Sequence, residues 1–325
     1  MDCRPYRPEM AADWDAVTEA APGGTVMQSR RFLDYHGTRF RDISLVGGKP
    51  DHRLSVVFPL AVDPAQAKRA ISHPGTSFGG VISLSRDPSD ARSFLRLAAQ
   101  RLLDDGFDRL LYRAPPAAVL RQPDDGLLPD LVRMGTVVQL DLWSILPLPD
   151  SKAAALWRSK IRRAERQGLC ATPVTTAAEW AELHGLLSQR LLAKYGKGLV
   201  HSLPELIDLH HRLGRQSRAQ LIRDAAGNAL AGHWFIDYGS GTLHNQYNGA
   251  TDQGLAMGAA GYGIALTLEA AQNDGFRALS LGRSTESDGF SQNRSLLEFK
   301  SRFGTSLAAQ LHFDLDLRRL AQTAI

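Results

Sequence analysis

Residues 281–304 read LGRSTESDGFSQNRSLLEFKSRFG. This stretch begins at the end of a short apolar strand pattern, residues 278–281. A glycine, an arginine and a series of hydroxyl and carboxylate side chains come next, and a lysine stands beside a phenylalanine near its end. Because ligands often bind where a strand ends in polar residues, the stretch predicts a ligand site at the carboxyl end of this strand.

The rest of the chain repeats one order of elements on both sides of the proline-rich segment LPLPD, residues 146–150. Apolar periodicity predicts helices near residues 10–20, 29–37, 89–107, 152–167, 177–195, 257–273 and 293–303. Strand patterns lie at residues 42–48, 54–62, 79–84, 109–115, 137–143, 219–224, 230–238, 242–250, 278–282 and 309–317. We therefore expect an α/β fold of the α+β kind, with two domains at 1–148 and 149–325, each a mixed, mostly antiparallel sheet flanked by helices.

The amino-acid composition is compatible with several kinds of partner and does not require any of them. The 325 residues are 43% hydrophobic, enough for two cores, and the net charge of +4 with a pI near 9.2 permits a phosphate-bearing partner. Cys3 and Cys170 lie far apart and outside any cluster of metal ligands, so neither a disulfide framework nor a metal site is expected. The start of the chain lacks the apolar core of a signal peptide, and no run of about 18 apolar residues occurs. We expect a cytoplasmic protein without membrane insertion.

A basic helix is predicted directly after LPLPD. Residues 152–168, KAAALWRSKIRRAERQG, carry six basic side chains, from Lys152 to Arg166, against the single acid Glu165. A solvated helix face is the ordinary interpretation of such a charge run. The single sign over three turns makes a phosphate-binding face, with Lys160, Arg162 and Arg163, an equal alternative.

Two further segments place polar groups between strand patterns. The loop SHPGTSFGG, residues 72–80, is explained by backbone geometry, although its backbone N–H groups near Phe78 and Gly79 could also hold a substrate. Alternation in residues 230–250 places His233 on one face of the sheet. It also places His244 on the face opposite to that of Asn245 and Tyr247. Buried polar side chains in strands either satisfy one another or line a cavity, so His233 and Asn245 are candidate substrate ligands.

The opening stretch offers hydrogen-bond donors and carboxylates. Arg283 and Ser284 are donors, Glu286 and Asp288 are candidate general bases, and Lys300 lies on the following helix. The sequence contains no Ser/His/Asp spacing, metal-binding motif or Walker loop in this set. Donors with one or two carboxylates suit acyl transfer, in which a developing oxyanion needs positive donors.

These motifs together resemble the FemAB-like branch of the GNAT acyltransferase superfamily, whose members contain two GNAT-type domains. The resemblance rests on SKIRRAERQG (159–168), SFGG (77–80), NQYNGATD (245–252) and the ending LGRS…G…FKSRFG (281–304), and it covers most of the chain in order. It implies transfer of an acyl group to an amine. Lys300 matches the lysine of the family's FK motif and is expected to stabilise negative charge, and Tyr247 and Arg283 are further catalytic candidates beside Glu286.

The resemblance leaves two acyl donors open. In LAMGAA (255–260), residues Met257, Gly258, Ala259 and Ala260 match the GNAT loop that binds the pyrophosphate of acyl-CoA, but Leu255 replaces its usual Gln or Arg. The long helical hairpin that peptidoglycan-bridge enzymes use toward tRNA has no room in this chain. The resemblance therefore favours acyl-CoA as co-substrate over aminoacyl-tRNA. An amino sugar, an amino acid or a peptide precursor is the expected acceptor, DNA is not an expected partner, and a non-catalytic ligand-binding protein remains a third alternative.

Overall fold

The computed structural model describes residues 2–48, 53–123, 125–149 and 151–322. For residues 151–156 and 195 it describes the backbone only. The predicted contribution of the Lys152 side chain to the basic face lies outside the described residues. The strands are β1 (Arg4–Pro5), β2 (Leu45–Gly48), β3 (Leu54–Phe58), β4 (Ala61–Asp63), β5 (Gln66–Ile71), β6 (Ile82–Ser83), β7 (Arg109–Arg113), β8 (Gly135–Pro147), β9 (Cys170–Pro173), β10 (Ser217–Arg223), β11 (Ala229–Asp237), β12 (Thr242–Ala250), β13 (Ala278–Arg283) and β14 (Ser306–Asp316). The helices are α1 (Ala11–Ala20), α2 (Arg30–Leu33), α3 (Pro88–Asp104), α4 (Leu128–Met134), α5 (Ser151–Arg166), α6 (Ala177–Tyr195), α7 (Leu203–Leu213), α8 (Asp252–Met257), α9 (Ala259–Asn273), α10 (Arg294–Ser301) and α11 (Leu317–Gln322).

The chain forms two compact units, neither of which is continuous in sequence. The first unit comprises Met1–Trp143, Arg283–Arg294 and Leu307–Ile325, and the second comprises Ser144–Gly282 and Ser295–Ser306. The two C-terminal segments of the first unit lie within the range 149–325 that the sequence assigns to a second domain. Whether 1–148 and 149–325 act as separate domains stays a prediction.

The first unit contains two groups of strands. The strands β1, β2, β3 and β6 form an antiparallel sheet in that order. In the other group, β4 and β5 are antiparallel, β5 and β7 are parallel, and β7 is antiparallel to β14. The buried face of α3, with Phe94 and Leu102, belongs to one apolar cluster with Phe313 and Leu315 of β14. The strand pattern at 54–62 is interrupted in the structure, and β5 and α4 were not predicted from the sequence.

The second unit has the strand order β13, β12, β11, β10, β9, in which only the β12–β13 pair is parallel. On one face, Trp157 and Ile161 of α5 share a core with Ile264 of α9 and Phe235 of β11. On the other face, Trp180 of α6 meets Trp234 edge to face, with ring centroids 6.3 Å apart. The mixed, mostly antiparallel α/β fold is thus confirmed. The helix predicted at 257–273 is divided at Gly258, and α7 and β9 were not predicted.

A glycine in α9 lets this helix approach the sheet closely. A Cβ built on Gly263 would lie 2.3 Å from Nε2 of His233, a buried side chain of β11. We expect Gly263→Ala to lower the free energy of unfolding by about 1–3 kcal/mol, because the imidazole must move in a packed core. Urea denaturation of the variant measures this change.

The matched control is Gly185→Ala, in helix α6 of the same unit, where a Cβ would meet nothing within 4 Å. Alanine there removes the entropic cost of a helical glycine and should raise stability by about 0.5–1 kcal/mol. Equal effects of the two substitutions would show that the contact with His233 does not limit the position of α9.

Candidate functional site

The parallel strands β12 and β13 pair over a short distance and then separate. Their described register comprises Thr242↔Ala278, Leu243↔Leu279 and His244↔Ser280. Beyond these pairs β12 continues to Ala250 and β13 to Arg283. The backbone groups and side chains that follow His244 therefore border an opening in the second unit.

Lys300 lies buried at the point where the strands separate. Its Nζ donates a hydrogen bond to the carbonyl of Gly282 at 2.9 Å, and only 3% of the residue is exposed. Gly282 has φ +70°, and a Cβ at this position would lie 3.3 Å from the His244 ring. The sequence prediction that Lys300 accompanies the end of β13 therefore agrees with the geometry, whereas its chemical role stays a prediction.

His244 supplies a neutral imidazole at the same point. Its Nδ1 lies 3.1 Å from the hydroxyl of Ser280. Burial, followed by the nearby positive charge of Lys300, lowers the pKa of His244 to about 3. Near neutral pH His244 is therefore an uncharged imidazole and adds no second positive charge beside Lys300.

Tyr247 lies on the same sheet face as His244, which differs from the strict alternation expected from the sequence. The register changes from Trp234↔Tyr247 to Phe235↔Asn245, so Gln246 is bulged out and the following side chains change face. The Tyr247 ring stacks on Trp234, with centroids 5.9 Å apart. A bulge of one residue has no clear signature in the sequence.

His201, which was not among the predicted site residues, lies beside Tyr247 in the fold. Nδ1 of His201 lies 2.7 Å from the Tyr247 hydroxyl, and the His201 carbonyl lies 3.1 Å from Nε2 of His184. Burial raises the pKa of the Tyr247 phenol above its ordinary range. A neutral phenol held by an imidazole can position or relay a proton. Only the general polarity of the segment before α7 could have suggested His201.

The other two polar side chains predicted on these strands lie on the α9 face. His233 is fully buried, stacks on Phe235 with centroids 5.8 Å apart, and has no hydrogen-bond partner for either ring nitrogen among the described residues. Burial lowers its pKa to about 3. Asn245 donates to the carbonyl of Tyr247 at 3.2 Å and accepts from Asn248 at 2.6 Å. Asn245 is satisfied by neighbouring groups and His233 is part of the core, so a substrate contact by either stays a prediction.

A groove of about 470 Å³ lies between α5, α8, α9 and α10 in the second unit. Its charged lining residues are all basic: Lys160, Arg163 and Arg302. Lys160 lies over the Phe303 ring at 4.4 Å and donates to the Arg302 carbonyl at 3.2 Å. Burial, followed by the charge of Arg302, lowers the pKa of Lys160, as expected where positive charges are concentrated. Arg162, the third predicted phosphate ligand, is exposed on the same helix and does not line the groove.

The start of α9 forms one wall of this groove. Gly258, with φ +73°, separates α8 from α9, and no side chain caps α9 in the described structure. Met257, Gly258 and Ala260 line the groove, whereas Ala259 points into the core and is fully buried. The N-terminus of a helix of this length carries positive partial charge and backbone N–H donors. The groove therefore combines the features of an anion-binding site.

Arg283 and its neighbours belong to the first unit. The half-exposed guanidinium donates from Nη1 to Asp141 at 3.2 Å, and His312 Nε2 lies at the same distance from this buried carboxylate. Burial alone would raise the pKa of Asp141. The nearby polar groups of His312 and Thr285, the hydrogen bonds that it accepts from Gln139, and the charge of Arg283 instead lower that pKa well below its usual range. Asp141, which the sequence analysis did not identify, thus holds Arg283 in place.

The remaining predicted residues of the first unit have mainly structural contacts. Glu286 is exposed and begins a turn closed by the Gly289 N–H at 3.1 Å, while Asp288 accepts from the N–H groups of Phe290 and Ser291. The Ser284 N–H donates to the Leu142 carbonyl at 3.2 Å. A general-base role for Glu286 or Asp288 therefore has no geometric support and stays a prediction.

The SFGG segment is held by its backbone. Phe78 is fully buried against Trp143, with ring centroids 5.9 Å apart. Gly79 donates to the Arg113 carbonyl, and a Cβ on it would lie 1.9 Å from the Ser72 carbonyl oxygen. These contacts explain both residues without a substrate.

Among the described residues, no group of three or more His, Cys, Asp or Glu side chains is arranged to hold a metal ion. None of the helices described is long and apolar enough to cross a membrane.

The sequence matches no protein-family model, and no curated protein matches it. Solved structures show its fold. FemX is 12% identical, with a TM-score of 0.72 over 99% of both chains. L-PGS from Bacillus licheniformis is 14% identical, with a TM-score of 0.61 over 99% of this chain and 94% of that chain. A tandem GNAT protein from the clavulanic acid biosynthesis pathway is 11% identical, with a TM-score of 0.55 over 97% and 98%. The predicted FemAB-like, tandem GNAT fold is confirmed.

Proposed function

We propose that this chain, with its FemAB-like GNAT fold, is an N-acyltransferase that moves an acyl group from a phosphate-bearing donor to an amine and forms an amide. The observation that carries the proposal is the groove at the start of α9. Lys160, Arg163 and Arg302 line it beside the helix N-terminus, and the described lining residues include no acid. Such a site suits a pyrophosphate, which needs both cations and backbone N–H donors.

Acyl-CoA is the donor that this groove favours. Its volume of about 470 Å³ is within the range of small-molecule sites. The basic side chains would hold phosphates, while Tyr262, Phe299 and Phe303 provide apolar walls for the less polar parts of the donor.

The opening between β12 and β13 would receive the acyl group. In the reaction the neutral amine nitrogen bonds to the thioester carbonyl carbon, and negative charge develops on the carbonyl oxygen. The buried ammonium of Lys300, beside Gly282, would stabilise that charge. The carbon–sulfur bond then breaks and the proton lost by the nitrogen passes to the departing thiolate, so that the products are an amide and free CoA. An amino sugar, an amino acid or a peptide precursor is the proposed acceptor.

One observation favours aminoacyl-tRNA as an alternative donor. Arg158, Arg162 and Arg166 are exposed on α5 and do not line the groove. A row of cations beyond the groove suits a longer polyanion. In this alternative the ester of the aminoacyl-tRNA replaces the thioester, and the same helix contacts the nucleic acid.

A binding experiment with matched charge reversals tests the donor. We expect native mass spectrometry to show saturable binding of acetyl-CoA, weakened at least about tenfold by Arg163→Glu, because this change replaces a cation by an anion in the groove. Arg162→Glu, on the same helix outside the groove, should leave CoA binding unchanged. Equal weakening by both variants would argue for long-range charge rather than a site.

The same variants distinguish the alternatives. If CoA does not bind, and if bulk aminoacyl-tRNA binds with steep salt dependence and loses affinity in Arg162→Glu, aminoacyl-tRNA is the donor. Incubation of the protein with acetyl-CoA and a mixture of amines, followed by mass spectrometry, tests transfer itself. Tight donor binding without any amide product from either donor would leave a non-catalytic binding protein.

A further inference from the structure

Tyr247 lies one side-chain position beyond His244 on the same face of the sheet in the second unit. On the neighbouring strand β11, Ile236 pairs with His244 and Trp234 pairs with Tyr247. Because these partners are two residues apart, the backbones of His244 and Tyr247 are separated by about 7 Å. The described pairing of β12 with β13 ends at His244, whose ring is the one that approaches Gly282. Tyr247 therefore belongs to the part of β12 that borders the opening.

The phenol of Tyr247 is fixed against a buried imidazole. Its hydroxyl lies 2.7 Å from Nδ1 of His201, too close for a water molecule between them. The His201 ring packs edge to face on Trp234, with centroids 6.0 Å apart, and only 6% of His201 is exposed. The His201 carbonyl lies 3.1 Å from Nε2 of His184 in α6. Tyr247 itself is partly exposed, so the pair is a fixed path from a partly exposed tyrosine to an imidazole inside the second unit.

The phenol needs this partner in order to act as a base. Burial raises the pKa of Tyr247 above its ordinary range, so the hydroxyl keeps its proton near neutral pH. A protonated hydroxyl can accept a proton only if it gives up its own in the same step. Neutral His201 with its proton on Nε2 has a lone pair on Nδ1, at hydrogen-bond distance from that hydroxyl. The other imidazole beside the opening, that of His244, is a poor base because burial lowers its pKa to about 3.

We propose that Tyr247 and His201 together take the proton from the acceptor amine. This inference rests on the proposed acyl transfer and assigns the route of its proton. As the amine nitrogen bonds to the acyl carbonyl carbon, its proton moves to the Tyr247 oxygen, and the phenol proton moves to Nδ1 of His201, which becomes an imidazolium. When the carbon–sulfur bond breaks, the proton returns through the phenol to the departing thiolate. Tyr247 is then a catalytic residue, and His201 is a positioning residue that acts through it.

Kinetics of single and double variants test this route. The assay measures amide formation from acetyl-CoA and a mixture of glucosamine, glycine and diglycine, which represent the proposed kinds of acceptor. We expect Tyr247→Phe and His201→Ala each to lower the rate at saturating acetyl-CoA by about 100-fold or more. Because the two residues act as a unit, the double variant should lose no more than either single variant. Acetyl-CoA binding should be unchanged in all of these variants, since neither residue lines the groove.

Chemical rescue separates proton transfer from packing. Added imidazole should raise the rate of His201→Ala by about tenfold or more, because it supplies the missing proton acceptor. Pyrazole, which has the same size and is far less basic, should not raise it. Imidazole should give no recovery in Tyr247→Phe, where the group that meets the amine is absent.

His210→Ala is the matched control. His210 also places its Nδ1 on a hydroxyl, that of Ser217 at 2.9 Å, and packs beside Trp180 in the same unit, so this variant should keep the activity of the unchanged protein. Losses that multiply in the double variant, equal recovery with imidazole and pyrazole, or an equal loss in His210→Ala would overturn the proton route, while the acyl transfer would stand. No amide from the unchanged protein would overturn the acyl transfer itself, and the proton route with it.

Discussion

Replacing Lys300 by methionine is expected to lower the rate of acyl transfer by about 100- to 1000-fold while the protein stays folded. Methionine preserves most of the apolar volume of a side chain that is 3% exposed. It removes the positive charge beside Gly282, where the oxyanion would develop, and single donors of this kind contribute about that factor. The measurement is amide formation under saturating donor, together with donor binding, which should be retained because Lys300 does not line the groove.

Glu298→Gln is the control, because this exposed residue lies on the same helix α10. It should keep full activity. Lys300 also satisfies the carbonyl of Gly282, so its loss leaves that acceptor without this donor at a cost of about 1–3 kcal/mol. If the methionine variant unfolds, Lys300→Arg, which keeps charge and donors, should recover the fold and part of the activity. Undiminished turnover by a folded Lys300→Met protein would remove the residue from the mechanism.

Acidification is expected to destabilise the protein strongly between about pH 6.5 and pH 3. The pKa values of His73, His233 and His244 are each lowered from 6.5 to about 3, in every case chiefly by burial. The folded state therefore binds fewer protons than the unfolded state in this interval. The corresponding stability is fully present above pH 6.5 and is lost as the pH falls toward 3. At about pH 5 each of these three histidines lowers the free energy of unfolding by about 2 kcal/mol relative to its value near neutral pH.

Urea denaturation at about pH 7.5 and pH 5, with single variants, measures this loss. His233→Leu should remove its share, about 2 kcal/mol of the difference, because no described group pairs with either ring nitrogen. His211→Gln, at an exposed position of α7, should leave the difference unchanged. If the stability is the same at both pH values, the three imidazoles are protonated in the folded protein without cost, and the burial argument is wrong.

Local periodicity was sufficient to predict most helices and strands. It also predicted on which face of the sheet the side chains of β11 lie. Period-two alternation placed His233 and Phe235 opposite Trp234, and the structure confirms it because the strand is regular there. The same alternation was wrong for Tyr247, since the bulge at Gln246 is a property of the pairing with β11. The short strands β5 and β9 were missed because they have few residues and polar or exposed positions, so that they show little apolar pattern.

The sequence indicated where some candidate residues lie in the fold, while their roles stay predictions. The motif residues Lys300 and Gly258 lie at the strand end and at the groove, where the pattern at 281–304 and the segment LAMGAA led us to expect them. Glu286 was predicted as a candidate general base because it is a carboxylate close to the end of a strand. Its exposed position in a turn could not be predicted from the neighbouring residues in sequence. His201 was not considered, because a single histidine before a helix carries no local signal.

The class of fold, the basic character of α5 and the polar end of β13 follow from local sequence, because they depend on the spacing and type of neighbouring residues. Which polar groups meet depends on the tertiary structure. Tyr247 and His201 are 46 positions apart, and Arg283 and Asp141 are 142 positions apart. Such pairs form when strands and helices pack at short range in space, and each packing depends on the whole register of the sheet. Local patterns do not contain that information.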